Sequence, residues 1–397
     1  MTGITTPQGF RAAGVAAGLK STGARDVALV VNDGPLRTAA AVLTSNRVQA
    51  APVLWTRQAV SDGAARAVVL NSGGANACTG PEGFADTHRT AEHVAATLSA
   101  SAATPEDEVG AADVLVCSTG LIGVRLPMDA LLAGVDAAAG ALSPDGGDAA
   151  AHAIMTTDTV AKQAEQVRDG WAVGGMAKGA GMLAPGLATM LSVVTTDAVV
   201  DAATADAALR AATRTTFDRV DSDGCMSTND TVILLASGAS GVTPTAEELT
   251  EAVTAVCADL ARRLVADAEG ASHDIAVTVT HASDEDAAVA VARAVTRSNL
   301  FKAAIFGNDP NWGRVVAAAG TVPEDVAPFD PLAIDVTING VQVCRAGGVG
   351  EPRELVDLAA GREVRVEIDL HAGDATATVW TNDLTHDYVH ENSAYSS

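Results

Sequence analysis

Short apolar runs alternate with helical stretches along nearly the whole chain, and this alternation limits the fold more than any other feature of the sequence. Runs rich in Val and Leu and bounded by Gly, Pro or Asp predict strands over 26–32, 39–44, 67–71, 113–117, 190–194 and 231–236. A strand-rich last third is predicted over 274–280, 303–306, 332–338, 341–345, 363–370 and 375–380. Helices are predicted over 87–98, 128–142, 201–217, 245–268 and 283–297.

Two of these helices carry N-terminal capping signals in the sequence. Thr245 with Glu248 and Ser283 with Asp286 have the spacing of a capping box. Mixed strands and helices of this kind predict the α/β (mixed α+β) class, with two lobes built from mixed β-sheets that helices cover. No G-x-G-x-x-G follows the first predicted strand, which argues against a Rossmann domain.

The composition is typical of a large globular protein and argues against binding to nucleic acid or membranes. The length of 397 residues suits two domains or one two-lobed body. Hydrophobic residues make up 48% of the chain and aromatic residues only 3%, which predicts a core of Ala, Val and Leu. The net charge is −24, and no run of Lys or Arg could form a basic patch. We therefore expect neither nucleic acid nor membrane as a partner.

Cysteine usage and the N-terminus predict a cytoplasmic protein without metal or cofactor. The five cysteines are odd in number and widely spaced, and neither CxxC nor HExxH occurs. The first residues lack a basic segment followed by an apolar core, so no secretory signal is predicted. No uncharged apolar run reaches the ~18 residues that a membrane span needs.

The least ordinary segment, Gly-rich residues 174–190, has as its second-last residue a threonine that could act as a nucleophile. Five glycines and Pro185 precede Thr189 within sixteen residues, a composition that can hold a tight, strained backbone. Strain beside a hydroxyl favours attack on the carbonyl of Ala188, and hydrolysis of the resulting ester would free a new N-terminus. Thr189 would then carry both a hydroxyl and an α-amine able to act as its base. Alone, however, a threonine here is also an ordinary strand residue.

Three further positions allow a structural and a functional interpretation. Thr119 with Gly120 is either a strand-to-loop turn or an oxyanion hole. Lys178, among glycines, is either a solvated loop residue or a group that binds a substrate carboxylate. Glu269, where a long helix ends, is either solvated or a partner for a substrate ammonium group.

Eight segments in order, reaching residue 397, resemble the ornithine acetyltransferase (glutamate N-acetyltransferase) family. The self-cleavage motif of that family is similar to Lys178-Gly-Ala-Gly-Met-Leu-Ala-Pro-Gly-Leu-Ala-Thr-Met-Leu191. The other segments that look like the family are 71–80, 118–123, 153–159, 223–231, 267–270 with 306–314, and 392–397. Two positions depart from the family pattern: Ala268 stands where the family has glycine, and Ser397 where it has threonine.

The resemblance implies a self-cleaving acyltransferase of arginine biosynthesis with two subunits, residues 1–188 and 189–397, cut between Ala188 and Thr189 and expected to form an α2β2 heterotetramer. It implies ping-pong transfer of acetyl from N-acetylornithine to glutamate through acetyl-Thr189, with acetyl-CoA as an alternative donor in some members. Thr119 and Gly120 would form the oxyanion hole. The resemblance assigns substrate binding to Thr156, Thr157, Lys178, Thr189, Glu269, Asn392 and Ser397. It leaves open whether Thr156 or Thr157 contacts the substrate.

Two other function classes share parts of this pattern. An N-terminal-nucleophile aminopeptidase or amidase would use the same threonine with water as the acceptor. A binding protein with a glycine-rich loop would not be cut at all. Segments 71–80 and 308–314 look family-specific, but no chemical role follows from their residues.

Overall fold

The structure is a computed structural model that describes residues 3–100, 104, 108–183 and 190–394. The N-terminal part of the chain alternates strands and helices: β1 Phe10–Val15, β2 Val27–Asn32, β3 Thr38–Leu43, α1 Ala51–Ala59, β4 Ala67–Ser72, α2 Gly80–Ser99, β5 Val114–Thr119, α3 Met128–Gly140 and α4 Gly147–Ala153. The middle part continues with β6 Lys162–Val167, β7 Ala172–Lys178, β8 Leu191–Thr196, α5 Ala202–Thr215, β9 Thr231–Ala236 and α6 Ala246–Ala266.

The C-terminal part holds more strands than helices. Its elements are β10 Asp274–Ala282, α7 Glu285–Thr296, α8 Asn299–Phe306, α9 Trp312–Ala319, β11 Asp335–Ile338, β12 Val341–Arg345, β13 Gly348–Val349, β14 Glu363–Asp369, β15 Ala375–Asn382 and α10 His386–Ala394. Every helix within the described residues is too short or too polar to span a membrane.

Two mixed sheets pack face to face to form the larger lobe. The four-stranded sheet has the order β1-β2-β4-β5, and the five-stranded sheet has the order β3-β9-β8-β7-β6. The β4–β5 and β8–β9 pairs are parallel, and the other neighbours in these two sheets are antiparallel. Buried side chains from both sheets, such as Val68, Leu115, Met176 and Ile233, form one cluster between them.

Helices cover the outer faces of these two sheets. One cluster joins the four-stranded sheet to α2 and α3 through residues such as Val94 and Leu131, and another joins the five-stranded sheet to α5 and α6 through Leu209 and Leu260. These two sheets and their helices therefore form four layers, helix–sheet–sheet–helix. Strands of both sheets are buried on both sides, because each sheet has a packed layer on each face.

A separate six-stranded sheet forms the second lobe. Its order is β13-β12-β11-β14-β10-β15, with β10 and β14 parallel. Apolar residues of β10 and β14 pack against α7, α8 and α9 in a cluster of their own, which includes Val277, Val366, Val291 and Ile305. The predicted class, a mixed α/β fold of helix-covered mixed sheets, is confirmed.

Three local predictions need correction. Residues 303–306, predicted as a strand, lie in α8, where Phe301, Ala304 and Ile305 face the core at helical spacing. A four-residue apolar run cannot distinguish a buried helix from a strand. Helix α7 is capped by Asp284, which accepts a hydrogen bond from the amide of Ala287, rather than by Ser283. The helix predicted from residue 87 begins at Gly80 instead, with proline in its first turn.

Candidate active site

One small cavity lies where several separate elements of the chain meet. It has a volume of about 60 Å³ and lies at the ends of β5 and β7, the loop before β6, the loop after α6, and α10. Its lining residues are Thr119, Gly120, Thr156, Thr157, Lys178, Gly181, Met182, Glu269 and Asn392. All the described residues that the sequence singled out for the site thus line one cavity. Ala188, Thr189 and Ser397 lie outside the described residues.

Thr119 and Gly120 stand at the end of a buried strand, in a backbone shape that requires glycine. Thr119 is the last residue of β5 and is 2% exposed. Gly120 has a φ of 131°, and a Cβ there would lie 2.5 Å from the amide nitrogen of Gly74. That amide donates a hydrogen bond to the carbonyl of Thr119 at 3.0 Å. Only glycine allows the two segments to approach this closely, so the pair has a fixed position on the cavity wall.

Lys178 is buried with its ammonium group beside the hydroxyl of Thr119. It ends β7, opposite Leu191 of β8, and is 1% exposed. Its Nζ donates to Oγ1 of Thr119 at 3.3 Å. Burial lowers the pKa of Lys178, and the negative charge of Asp158 opposes that effect. The interpretation of Lys178 as a solvated loop residue is therefore wrong.

Asp158, Lys162 and Asp267 form a buried ion-pair network next to Lys178 of the cavity wall. Nζ of Lys162, which is fully buried, lies 2.7 Å from Oδ1 of Asp158 and 2.5 Å from Oδ2 of Asp267. Burial tends to raise the pKa of Asp158, but the charges of Lys178 and Lys162 outweigh it and the pKa is lowered. This network was missed at the level of sequence, because the chain separates Lys162 and Asp267 by 105 residues.

Asp158 also fixes two parts of the cavity wall through backbone hydrogen bonds. Its carboxylate accepts from the amide of Gly179 at 2.6 Å and from the amide of Thr156 at 2.9 Å. Gly179 follows Lys178 directly. One carboxylate therefore holds the end of β7 and the Thr156–Thr157 loop in a fixed relation.

Glu269 and Asn392 close the cavity from the side of the C-terminal helix. Nδ2 of Asn392 donates to Oε2 of Glu269 at 2.9 Å, and the amide of Glu269 donates to the carbonyl of Ala180 at 2.9 Å. Gly270, with φ of 62°, lies so close to α10 that a Cβ would be 2.3 Å from the amide nitrogen of Tyr388. The helix is thus docked directly on the Glu269 loop.

A larger depression on the surface contains none of the predicted site residues. It has a volume of about 600 Å³ and lies between β3, the segment after α1, and α5. Within the part of the chain that the structure describes, no group of three or more His, Cys, Asp or Glu side chains could hold a metal ion. The convergence of Thr119 and Gly120, a buried lysine and a carboxylate makes the small cavity the candidate active site.

A small cavity lined by a buried lysine, threonine hydroxyls and a carboxylate is typical of an enzyme active site. Residues 11–397 match the model of the ArgJ family, and the chain belongs to that family. It is 64% identical over 394 residues to the "Arginine biosynthesis bifunctional protein ArgJ" of Streptomyces coelicolor, covering 99% of this chain and 100% of that protein. The protein of the same name from Thermobifida fusca is 62% identical, with the same coverage of both chains.

A solved structure gives a similar result at the level of sequence. The crystal structure of ornithine acetyltransferase complexed with ornithine, from Mycobacterium tuberculosis, is 62% identical to this chain. It covers 48% of this chain and 96% of its own, with a TM-score of 0.45. The resemblance to the ornithine acetyltransferase family, predicted from the sequence motifs, is confirmed, and so is a role as an acyltransferase in arginine biosynthesis.

Proposed function

We propose that the chain transfers the acetyl group of N-acetylornithine to glutamate through an acetylated Thr189. The convergence of Thr119, Gly120, Lys178 and Glu269 on one cavity is the observation that carries this proposal. Both substrates are α-amino acid derivatives, so one buried cation can serve both half-reactions. No cofactor is needed for this chemistry, because the nucleophile, base and oxyanion donors are all protein groups.

The first half-reaction moves acetyl onto the enzyme. The hydroxyl oxygen of Thr189 attacks the acetyl carbonyl carbon, and its α-amine takes the hydroxyl proton. Thr119 and Gly120 donate hydrogen bonds to the oxygen that becomes negative, and one such donor lowers the barrier by about 2.7–4 kcal/mol. The C–N bond of the donor then breaks, and the proton passes to the ornithine nitrogen. Glutamate enters the same cavity and reverses these steps with its own amine.

Substrate recognition follows from the charges around the cavity. Lys178 binds the α-carboxylate that N-acetylornithine and glutamate share, with Thr156 or Thr157 as a hydrogen-bonding neighbour. Glu269 supplies a negative charge for the side-chain ammonium of ornithine. Asn392, bonded to Glu269 at 2.9 Å, and Ser397 belong to a C-terminal segment that closes over the bound substrate.

Self-cleavage between Ala188 and Thr189 supplies the nucleophile with its free α-amine. The fragments are the subunits 1–188 and 189–397, and two of each assemble into a heterotetramer in the cytoplasm. Cleavage gives 188 residues and 397 − 188 = 209 residues, or roughly 19 and 21 kDa, since 39.8 kDa over 397 residues is about 100 Da each.

A denaturing gel with N-terminal sequencing tests the cleavage. The wild-type protein should give two bands, with threonine as the first residue of the larger fragment. Thr189→Ala should remain a single chain, because no hydroxyl can attack the preceding carbonyl. Cleavage of the alanine variant at the same bond would refute this mechanism.

Mass spectrometry separates a transferase from a hydrolase. With N-acetylornithine and no acceptor, the 209-residue fragment should gain one acetyl group at its first residue. Glutamate should remove that mass and yield N-acetylglutamate, and Lys178→Ala should weaken both half-reactions. Release of free acetate at a rate that glutamate does not change would make water the acceptor and the enzyme a hydrolase.

A further inference from the structure

Asp230 is a buried acid that holds the first described residue after the cleavage segment. It directly precedes β9 and is 0% exposed. Its Oδ1 accepts a hydrogen bond from the amide of Met190 at 3.1 Å. Met190 directly precedes β8, and its carbonyl accepts from the amide of Thr231 at 3.2 Å. Because β8 and β9 are parallel with Leu191 opposite Thr231, the two strand starts lie side by side.

The second carboxyl oxygen of Asp230 is buried without a hydrogen-bond partner among the described residues. Burial raises the pKa of Asp230 well above its ordinary value, although the hydrogen bonds of Met190 and Ser227 and the charge of Lys178 oppose that effect. The ionisable groups that interact electrostatically with Asp230 are Lys178 of β7 and Cys225 of the loop before β9. Burial thus favours the proton-bearing form of Asp230 more than it would for an exposed aspartic acid.

The neighbouring residue Asn229 ties this acid to the oxyanion side of the cavity. Its Nδ2 donates to the carbonyl of Ser118 at 2.8 Å and to the carbonyl of Ala75 at 2.7 Å. Ser118 directly precedes Thr119 on β5. Residues 229 and 230 thus connect the strand that carries the oxyanion pair to the strand that follows the cleavage point.

Covalent connectivity limits the distance between the cleaved nitrogen and the Met190 amide. Consecutive backbone nitrogens are joined by three bonds and lie at most about 3.7 Å apart. The nitrogen of residue 189, which leaves the carbonyl of residue 188 in self-cleavage, is three covalent bonds from the Met190 nitrogen that donates to Asp230. An amide nitrogen is a poor leaving group until it gains a proton.

We propose that Asp230 is the proton donor of self-cleavage, giving its proton through Oδ2 to the nitrogen of residue 189. This inference rests on the proposed function, because it needs the attack of the Thr189 hydroxyl. In that step the O–C bond to residue 188 forms and the C–N bond breaks. The nitrogen takes the carboxyl proton, and the hydroxyl proton returns to the carboxylate. Water then hydrolyses the ester, which restores the hydroxyl and leaves a carboxylate on residue 188.

The rate of cleavage in Asp230→Asn tests the proposal. Asparagine keeps the shape and an acceptor for the Met190 amide but has no acidic proton, so cleavage should slow by about 10²–10⁴-fold. Asp197→Asn is a matched control, because Asp197 is 2% exposed and accepts from the amides of Ala172 and Gln8 at 2.8 and 2.9 Å. It follows the opposite end of β8 and should be cut at the wild-type rate.

Freshly made full-length chains are followed by gel after translation in vitro, with wild type and Thr189→Ala in parallel. If wild type is not cut, or Thr189→Ala is cut, the proposed function fails. If those two behave as expected but Asp230→Asn is cut at the wild-type rate, only the role of Asp230 is refuted. Hydroxylamine, which splits esters, should leave Asp230→Asn intact, and its rapid scission would show that the ester forms without this proton donor.

A second measurement needs no variant and covers the case in which Asp230→Asn fails to fold. The wild-type cleavage rate should fall as pH rises through the raised pKa of Asp230, because the proton-bearing form is lost. Asp230→Glu keeps an acidic proton and should recover part of the rate that Asp230→Asn loses. A wild-type rate that is constant over the whole pH range in which the chain stays folded would overturn the proposal.

Discussion

Replacing Lys162 with methionine removes the cation from the centre of the buried ion-pair network. Its Nζ lies 2.7 Å from Asp158 and 2.5 Å from Asp267, and its side chain is 0% exposed. Methionine fills a similar volume, so the main change is the loss of charge. Asp158 would be left in the interior with Lys178 as a cationic neighbour.

The expected loss of unfolding free energy is large. Each contact has a gross Coulomb energy of about 6 kcal/mol at an effective dielectric constant near 20, but desolvation of the ions offsets much of that. Removing one partner of a buried pair typically costs about 3–5 kcal/mol, because an uncompensated charge remains. We expect Lys162→Met to lie in that range at neutral pH.

The loss should also depend on pH. In the wild-type protein the pKa of Asp158 is lowered, so its contribution to stability is present above the unfolded value and is lost as pH falls through the folded value. Without Lys162, burial is less opposed and the pKa of Asp158 rises. The variant can then protonate Asp158 at mildly acidic pH, and its deficit relative to wild type should shrink there.

Urea unfolding, in a Thr189→Ala background that remains one chain, measures both effects. Arg210→Met is the matched control, because Arg210 pairs with Asp206 at the same i,i+4 spacing and at 2.8 Å, with side chains 61% and 44% exposed. An exposed pair of that kind should contribute under about 1 kcal/mol. Equal losses for the two variants, or a loss for Lys162→Met that does not change with pH, would refute the reasoning.

Two further predictions concern catalysis. Thr119→Ala should lower kcat by about 10²–10³-fold with little change in KM, because the hydroxyl acts mainly on the transition state. Steady-state kinetics measures both constants. A rise in KM with unchanged kcat would show a binding role instead. Asn392→Asp puts a carboxylate in place of the amide whose Nδ2 lies 2.9 Å from Oε2 of Glu269, so KM for N-acetylornithine should change. Asn392→Gln keeps the amide and should change KM less. Equal KM values for these two variants would contradict a charge effect.

The sequence predicted a local element correctly where its pattern was compatible with only one kind of secondary structure. The predicted capping box of Thr245 and Glu248 is present at the start of α6, and the predicted strand 231–236 is β9. The capping box is a contact between residues three apart in the chain, and β9 is a largely apolar run that is fully buried. The run 303–306 failed because four apolar residues fit a helix face as well as a strand.

The candidate site was only partly accessible to sequence reasoning. Motifs and resemblance indicated Thr119, Lys178 and Glu269, but nothing in their spacing placed them around one cavity. The charged network behind them depends on a contact between Lys162 and Asp267, which only the packing of α6 beside β6 creates. Asp230 was part of a recognised segment, but its unpaired oxygen is visible only in three dimensions.

The strand order of the five-stranded sheet determines how the two products of the proposed cleavage would relate to each other. A cut after residue 188 places β3, β6 and β7 in one fragment and β8 and β9 in the other. In the sheet, β9 pairs with β3 and β8 pairs with β7, each through six residue pairs, so the second fragment lies between strands of the first. Separation would expose four unpaired strand edges, which favour aggregation. The fragments are therefore inseparable partners, and halves synthesised apart would have to interleave during folding.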